Sequence, residues 1–203
     1  MANHAYLRVW TRDFSESTMI PEFARFLTTA PVSSLPSAQS DQPGLPAFTE
    51  LIVQAVDSSE SSVAEWDLWR FDVDTVSWKL EPQPLILTMH GRDYEEGLAS
   101  SAGHFSADLG FEHFFTGHGG LLAPGAASNP FASSDHPVEH TFRQWMATPN
   151  NLKEYHAKTR ENIQQLFRWV EAVESALPVE RSELSSEGEE NFEARLDAIA
   201  AQR

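Results

Sequence analysis

The chain reads as an α+β protein: an antiparallel or mixed sheet of about five strands in the N-terminal two-thirds, covered by C-terminal helices. Three observations predict this. Apolar residues alternate with a period of two in several segments before residue 116, a Gly/Pro/Ser/Ala-rich stretch occupies 117–135, and apolar residues recur at helical spacing after it. Strands gathered first and helices last make separate layers rather than alternating β-α-β units. With 203 residues, 41% of them hydrophobic, the chain suits one globular domain, sheet-rich over 1–116, connected through 117–135 and helical over 136–203.

Ala5, Leu7, Val9 and Thr11 alternate with Tyr6, Arg8 and Trp10, as a strand with one face on a core requires. Trp10 lies on the more polar face, where an aromatic suits packing under a helix. Thr18 is placed to cap a helix to about Ala30, with Met19, Phe23, Phe26, Leu27 and Ala30 on one side and Pro31 ending it. Residues 31–46 lack periodicity and read as a surface loop. A β-rich run over Phe48–Val56 is bounded by the Ser/Glu-rich segment Asp57–Glu65, and Trp66–Val73 forms the next strand. Two prolines confine Trp78–Pro84 to an edge or a connection, and Leu85–His90 and His104–Phe111 supply two further strands.

Beyond the connection, Pro137 suits the first position of a helix closed by Pro149. A long helix follows over Asn151–Leu177, with the stripe Leu152, Tyr155, Ile163, Leu166, Phe167, Val170, Val173 and Leu177. That stripe is wide enough for a partner helix, which leaves a homodimer open, although a sheet needs the same stripe as its cover. Ser186 and Glu189 have capping-box spacing before a last helix containing Phe192, Leu196 and Ile199.

A net charge of −16 sets the expectations about partners: nucleic acid and anionic membrane surfaces are repelled, and a basic protein is the partner that charge allows. Without cysteine, thiol catalysis and cysteine zinc sites are excluded. The first residues show no basic region followed by an apolar core, and no apolar run approaches the roughly 20 residues of a membrane span, so a cytoplasmic location is expected. Neither a dinucleotide-binding Gly-x-Gly-x-x-Gly nor a phosphate loop of the Walker type occurs.

Two segments carry chemistry. If Leu85–His90 and His104–Phe111 pair antiparallel, His90 and His104 fall together at one end on the face away from the core, with Asp108 further along and Asp93, Glu95 and Glu96 in the connection. That set would suit a divalent metal, and hence a small metal-assisted hydrolase in which the metal lowers the pKa of a bound water. The second segment is His113-Phe-Phe-Thr-Gly117-His118-Gly119-Gly120, whose glycine-rich turn exposes backbone N–H groups to an anion while His118 supplies a proton. The run His136-Pro137-Val138-Glu139-His140 matches the inverted zinc-protease spacing, but a proline at the first helical position takes His136 out of the helical register. Glu183, Glu187, Glu189, Glu190, Glu193 and Asp197 form an acidic run, for which acids in the first turn of the last helix give one reason and a basic partner another. The functional expectation is an acidic, non-catalytic binding or regulatory protein, with the metal-assisted hydrolase as its alternative.

Overall fold

The computed structural model describes residues 3–35, 58–118 and 137–201. Five antiparallel strands form one sheet in the order β2-β3-β4-β1-β5: β1 His4–Thr11, β2 Ser59–Asp72, β3 Ser77–His90, β4 Phe105–Phe111 and β5 Val179–Ser186. The helices are α1 Met19–Thr29, α2 Ala99–Ala102, α3 His113–Thr116, α4 Pro137–Met146, α5 Pro149–Ala176 and α6 Phe192–Ala201. The α+β class is therefore as the sequence indicates. No helix among the described residues is long and apolar enough to cross a membrane.

Alternation decides which face is covered. Ala5, Leu7 and Val9 of β1, Leu85, Leu87 and Met89 of β3, and Phe105, Ala107 and Leu109 of β4 are all buried on the face that meets Phe23 and Phe26 of α1 and Ile163, Leu166 and Trp169 of α5. Thr18 precedes α1 as expected, but its hydroxyl bonds within the preceding turn, donating to Asp13 and Ser15 carbonyls, and does not cap the helix. Trp10 lies under α2, its indole N–H donating to the Ser100 carbonyl at 3.1 Å, with the Arg181 guanidinium 3.6 Å above the ring centroid.

Three expectations are corrected. The segment 59–65, read as a boundary, is the first half of β2, held by continuous pairing of Ser59–Asp72 with Ser77–His90 although its side chains are polar. Trp78–Pro84 is neither separate nor a connection: β3 runs unbroken through Pro82 and Pro84. It tolerates them because β4 pairs only with Ile86–Met89, so both prolines lie where one side of β3 has no ladder to complete. The last third is not wholly helical, since β5 lies between α5 and α6 and forms one edge of the sheet. The β-rich run over Phe48–Val56 falls outside the described residues.

The opposite edge, β2, is sealed by side chains. Asn162 of α5 is fully buried; its carbonyl accepts the Trp69 N–H at 2.8 Å, and its amide donates to the Trp69 carbonyl at 2.8 Å and the Phe114 carbonyl at 2.9 Å. One amide thus supplies the bonds a further strand would make and ties α3 to the same point. Nearby, Ser33 N–H donates to the Glu65 carbonyl at 2.8 Å, and the Ser33 and Ser34 hydroxyls both donate to Asp67.

Candidate functional site

The strand pairing brings His90 and His104 together as expected: Thr88 pairs with Ser106, Met89 with Phe105, and the His90 N–H donates to the His104 carbonyl at 3.0 Å. The two rings are committed differently. His104 Nδ1 accepts the Thr11 N–H at 3.0 Å, which assigns the proton to Nε2, and the ring stacks on Phe14 with centroids 3.9 Å apart. Gly103 makes this approach possible, with φ +95 and a backbone so close to Val9 N and the Phe105 carbonyl that a Cβ would lie 3.1 and 2.8 Å from them. His90 reaches only hydroxyls, Ser106 at 3.3 Å from Nε2 and Ser59 at 3.4 Å from Nδ1. Burial pushes both imidazoles below their ordinary pKa, partly opposed by Glu95 at His90 and by Glu180 at His104, so both rings are neutral at pH 7.

Of the carboxylates named with them, Glu95 acts electrostatically on His90, while Asp93 and Asp108 are bonded to other groups. Asp93 forms a two-point ion pair with Arg92, at 2.9 Å for each contact, and those bonds hold its carboxyl below the usual range. Glu95 occupies a left-handed backbone position, φ 43, in the single turn Tyr94–Glu96, which Glu96 ends. Asp108 is four residues along β4 from His104, about 13 Å at the rise of a strand. There it accepts His4 Nδ1–H at 2.9 and 3.0 Å and the Gly110 N–H at 2.9 Å. Among the described residues no three of His, Asp and Glu stand together as a metal site.

The second segment gathers more than the sequence shows. Gly117, φ 78, closes α3 by donating its N–H to the His113 carbonyl at 3.0 Å, and this reversal sets the His113 and His118 rings 4.4 Å apart. The buried Tyr155 hydroxyl accepts the His118 backbone N–H at 2.8 Å and lies 2.7 Å from His118 Nδ1. The hydroxyl therefore donates to Nδ1, leaving the ring proton on Nε2. Burial holds His113 down to about 3, with His118 and Arg70 adding to the effect, and holds His118 down to about 4, with Arg70 adding. Burial also raises the Tyr155 hydroxyl, which keeps its proton. Gly119 and Gly120 lie outside the described residues, as does His136. Pro137 lies in α4, which is described from that residue onward, and the exposed His140 ring meets Gln144 at 2.9 Å.

Arg70, Tyr155 and Asn162 are the residues that sequence reasoning missed at this site. Tyr155 reads as one more member of an apolar stripe, and nothing local links it to His118. Asn162 carried a usable signal: an amide in the buried register of an amphipathic helix, where a polar group persists only if it is hydrogen-bonded. Comparison of the chain with protein-family models, curated proteins and solved structures finds no match.

Proposed function

We propose that the protein is a non-catalytic binding or regulatory protein that engages a basic protein partner through the carboxylates of β5, the turn after it and α6. The observation that carries this reading is where α6 begins. The helix starts at Phe192 with only Glu193 in its first turn, so Glu187, Glu189 and Glu190 precede it and the helix dipole does not account for them. Glu180, Glu187, Glu190, Glu193 and Asp197 are exposed, along an edge strand and the helix packed on it. Some of this charge serves the fold: Glu183 pairs with Arg8 at 3.2 Å, and Glu187 accepts the His4 N–H at 3.0 Å and the Tyr6 hydroxyl at 2.9 Å. Glu190, Glu193 and Asp197 are the carboxylates most available to a partner.

A short poly-lysine peptide is the probe, followed by amide chemical shifts at low and high salt. Shifts confined to 180–197, weakened by salt and lost in Glu190→Lys/Glu193→Lys/Asp197→Lys, support the reading. Small shifts spread over the whole surface, or binding unchanged in the triple variant, refute it. The metal-assisted hydrolase keeps one observation in its favour, the adjacency of His90 and His104. Calorimetric titration with zinc, manganese and nickel tests it: stoichiometric binding abolished by His90→Ala or His104→Ala would put that activity in place of the binding role.

A further inference from the structure

The seal on the β2 edge ends at Glu65. Odd-numbered residues of β2 turn their N–H and C=O away from β3, as the bonds of Trp69 to Asn162 and of the Glu65 carbonyl to Ser33 show, and even-numbered ones face β3, as the bond from the Gly91 N–H to the Ser58 carbonyl shows. Ser59, Ser61 and Val63 therefore present their backbone groups outward, and among the described residues those groups have no partner. The usual defences of an edge are missing here. The segment 59–64 holds no lysine and no proline, and it pairs with β3 without a bulge, whereas β1 shifts register against both of its neighbours. Val63, 58% exposed, lies directly opposite Ile86, 38% exposed, on the face of the sheet away from the core. Glu60 is on the other face, opposite Met89, where its carboxylate accepts the Ser58 hydroxyl at 3.1 Å through one oxygen.

We propose that residues 59–64 of β2 take up an extended segment of a partner protein as a sixth, antiparallel strand of the sheet. Main-chain bonds to Ser59, Ser61 and Val63 supply the attachment. Side chains set the chemistry of the segment. Opposite Val63, an apolar β-branched residue extends the Val63–Ile86 pair; three residues further on, and on the other face, a lysine or arginine answers Glu60. Charge selects a separate protein over a second copy of this chain. Two copies at −16 repel, and no self-pairing of the segment 59–64 can set a cation opposite Glu60, because the segment contains none. This edge lies across the sheet from β5, so it and the acidic surface of β5 and α6 are tested separately.

The probe is the acetylated and amidated octapeptide Thr-Thr-Val-Thr-Thr-Lys-Thr-Thr, which sets its valine opposite Val63 and its lysine opposite Glu60. It is titrated into the full chain while amide chemical shifts and hydrogen exchange are followed. The expected result is saturable shifts at Ser59, Ser61 and Val63, with slowed exchange of those amides. N-methylation of the third and fifth peptide residues, whose N–H groups meet β2, should weaken binding at least about tenfold, whereas N-methylation of the fourth and sixth, whose N–H groups face away, should leave most of it. Both peptides carry the same charge, so the difference reads strand pairing and not attraction to the acidic surface. In the protein, Ser61→Pro removes the central outward N–H and leaves the bonds to β3 in place, as Pro82 and Pro84 do on the open side of β3, and a loss of the same size is expected. Val63→Lys keeps every backbone group of β2 and should also weaken binding, by removing the apolar pair and adding the charge that guards natural edges. Shifts confined to 180–197, or equal loss from the two methylation patterns, overturn the proposal. Protection of the Ser59, Ser61 and Val63 amides in the free protein overturns it as well: if it grows with concentration the occupant is a second copy, and if it does not the chain fills its own edge.

Discussion

His90 and His104 are neighbours because two strands share a register, whereas His113 and His118 are neighbours because one turn of helix and a left-handed glycine fold the chain back. In the first pair three of the four ring nitrogens are engaged among the described residues: His104 Nδ1 by a backbone N–H, and both nitrogens of His90 by hydroxyls. In the second pair a single nitrogen is engaged among the described residues, His118 Nδ1 by Tyr155. Proximity of histidines is thus a poor guide to chemistry. The useful quantity is how many ring nitrogens remain after the fold has taken its share.

The largest effect expected from breaking this contrast is at Asn162, which anchors α3, and with it His113 and His118, to the β2 edge. Asn162→Ala leaves the part-buried Trp69 N–H and carbonyl and the buried Phe114 carbonyl without their partner, a loss of about 3 kcal/mol. Urea denaturation measures it, and a loss below about 1 kcal/mol would mean that water replaces the amide.

Acid sharpens the contrast next. His113 and His118 titrate at about 3 and about 4 in the fold, against an ordinary 6.5 in the unfolded chain, so the unfolded state binds more protons below pH 6.5. Their stabilising neutrality is therefore fully present above pH 6.5 and is lost as pH falls, with a ceiling of about 1.4 kcal/mol per pH unit for each ring. Between pH 7 and pH 5 the pair should cost about 3 kcal/mol, and His113→Gln/His118→Gln should remove most of that dependence. Equal acid sensitivity in the double variant would assign the loss to other groups.

These features were unequally legible. The strands His4–Thr11 and Phe105–Phe111 and the face of α1 follow from unbroken alternation or helical spacing, and the His90/His104 pairing follows from placing Met89 and Phe105 on one face. β5 was not legible because an edge strand needs little apolar surface: in Val179–Ser186 only Leu184 is buried. The first half of β2 was hidden in the same way, its order coming from backbone pairing with β3 rather than from burial. At the candidate sites the histidines could be named, but what engages them could not. Thr11 is 93 residues from His104 and Tyr155 is 37 from His118, and no spacing rule spans such separations.

Within the strand pair itself, His104→Ala removes the acceptor of the Thr11 N–H and the stack on Phe14, for a loss of about 2 kcal/mol. Hydrogen exchange at Thr11 checks this locally, since its amide should lose protection in the variant while amides in β3 keep theirs.

His90→Ala is the smallest effect and the sharpest control. Its contacts, 3.3 and 3.4 Å to hydroxyls, are long, and Ser59 and Ser106 are only partly buried, so water can satisfy both once the ring is gone. The expected change is about 0.5 kcal/mol, within what partly exposed substitutions ordinarily produce. A loss as large as that of His104→Ala would show that His90 does more than fill the row of hydroxyls. The matching pair of measurements therefore separates a ring that holds the sheet together from one that merely lies on it, although the two are adjacent in the same ladder and both are neutral.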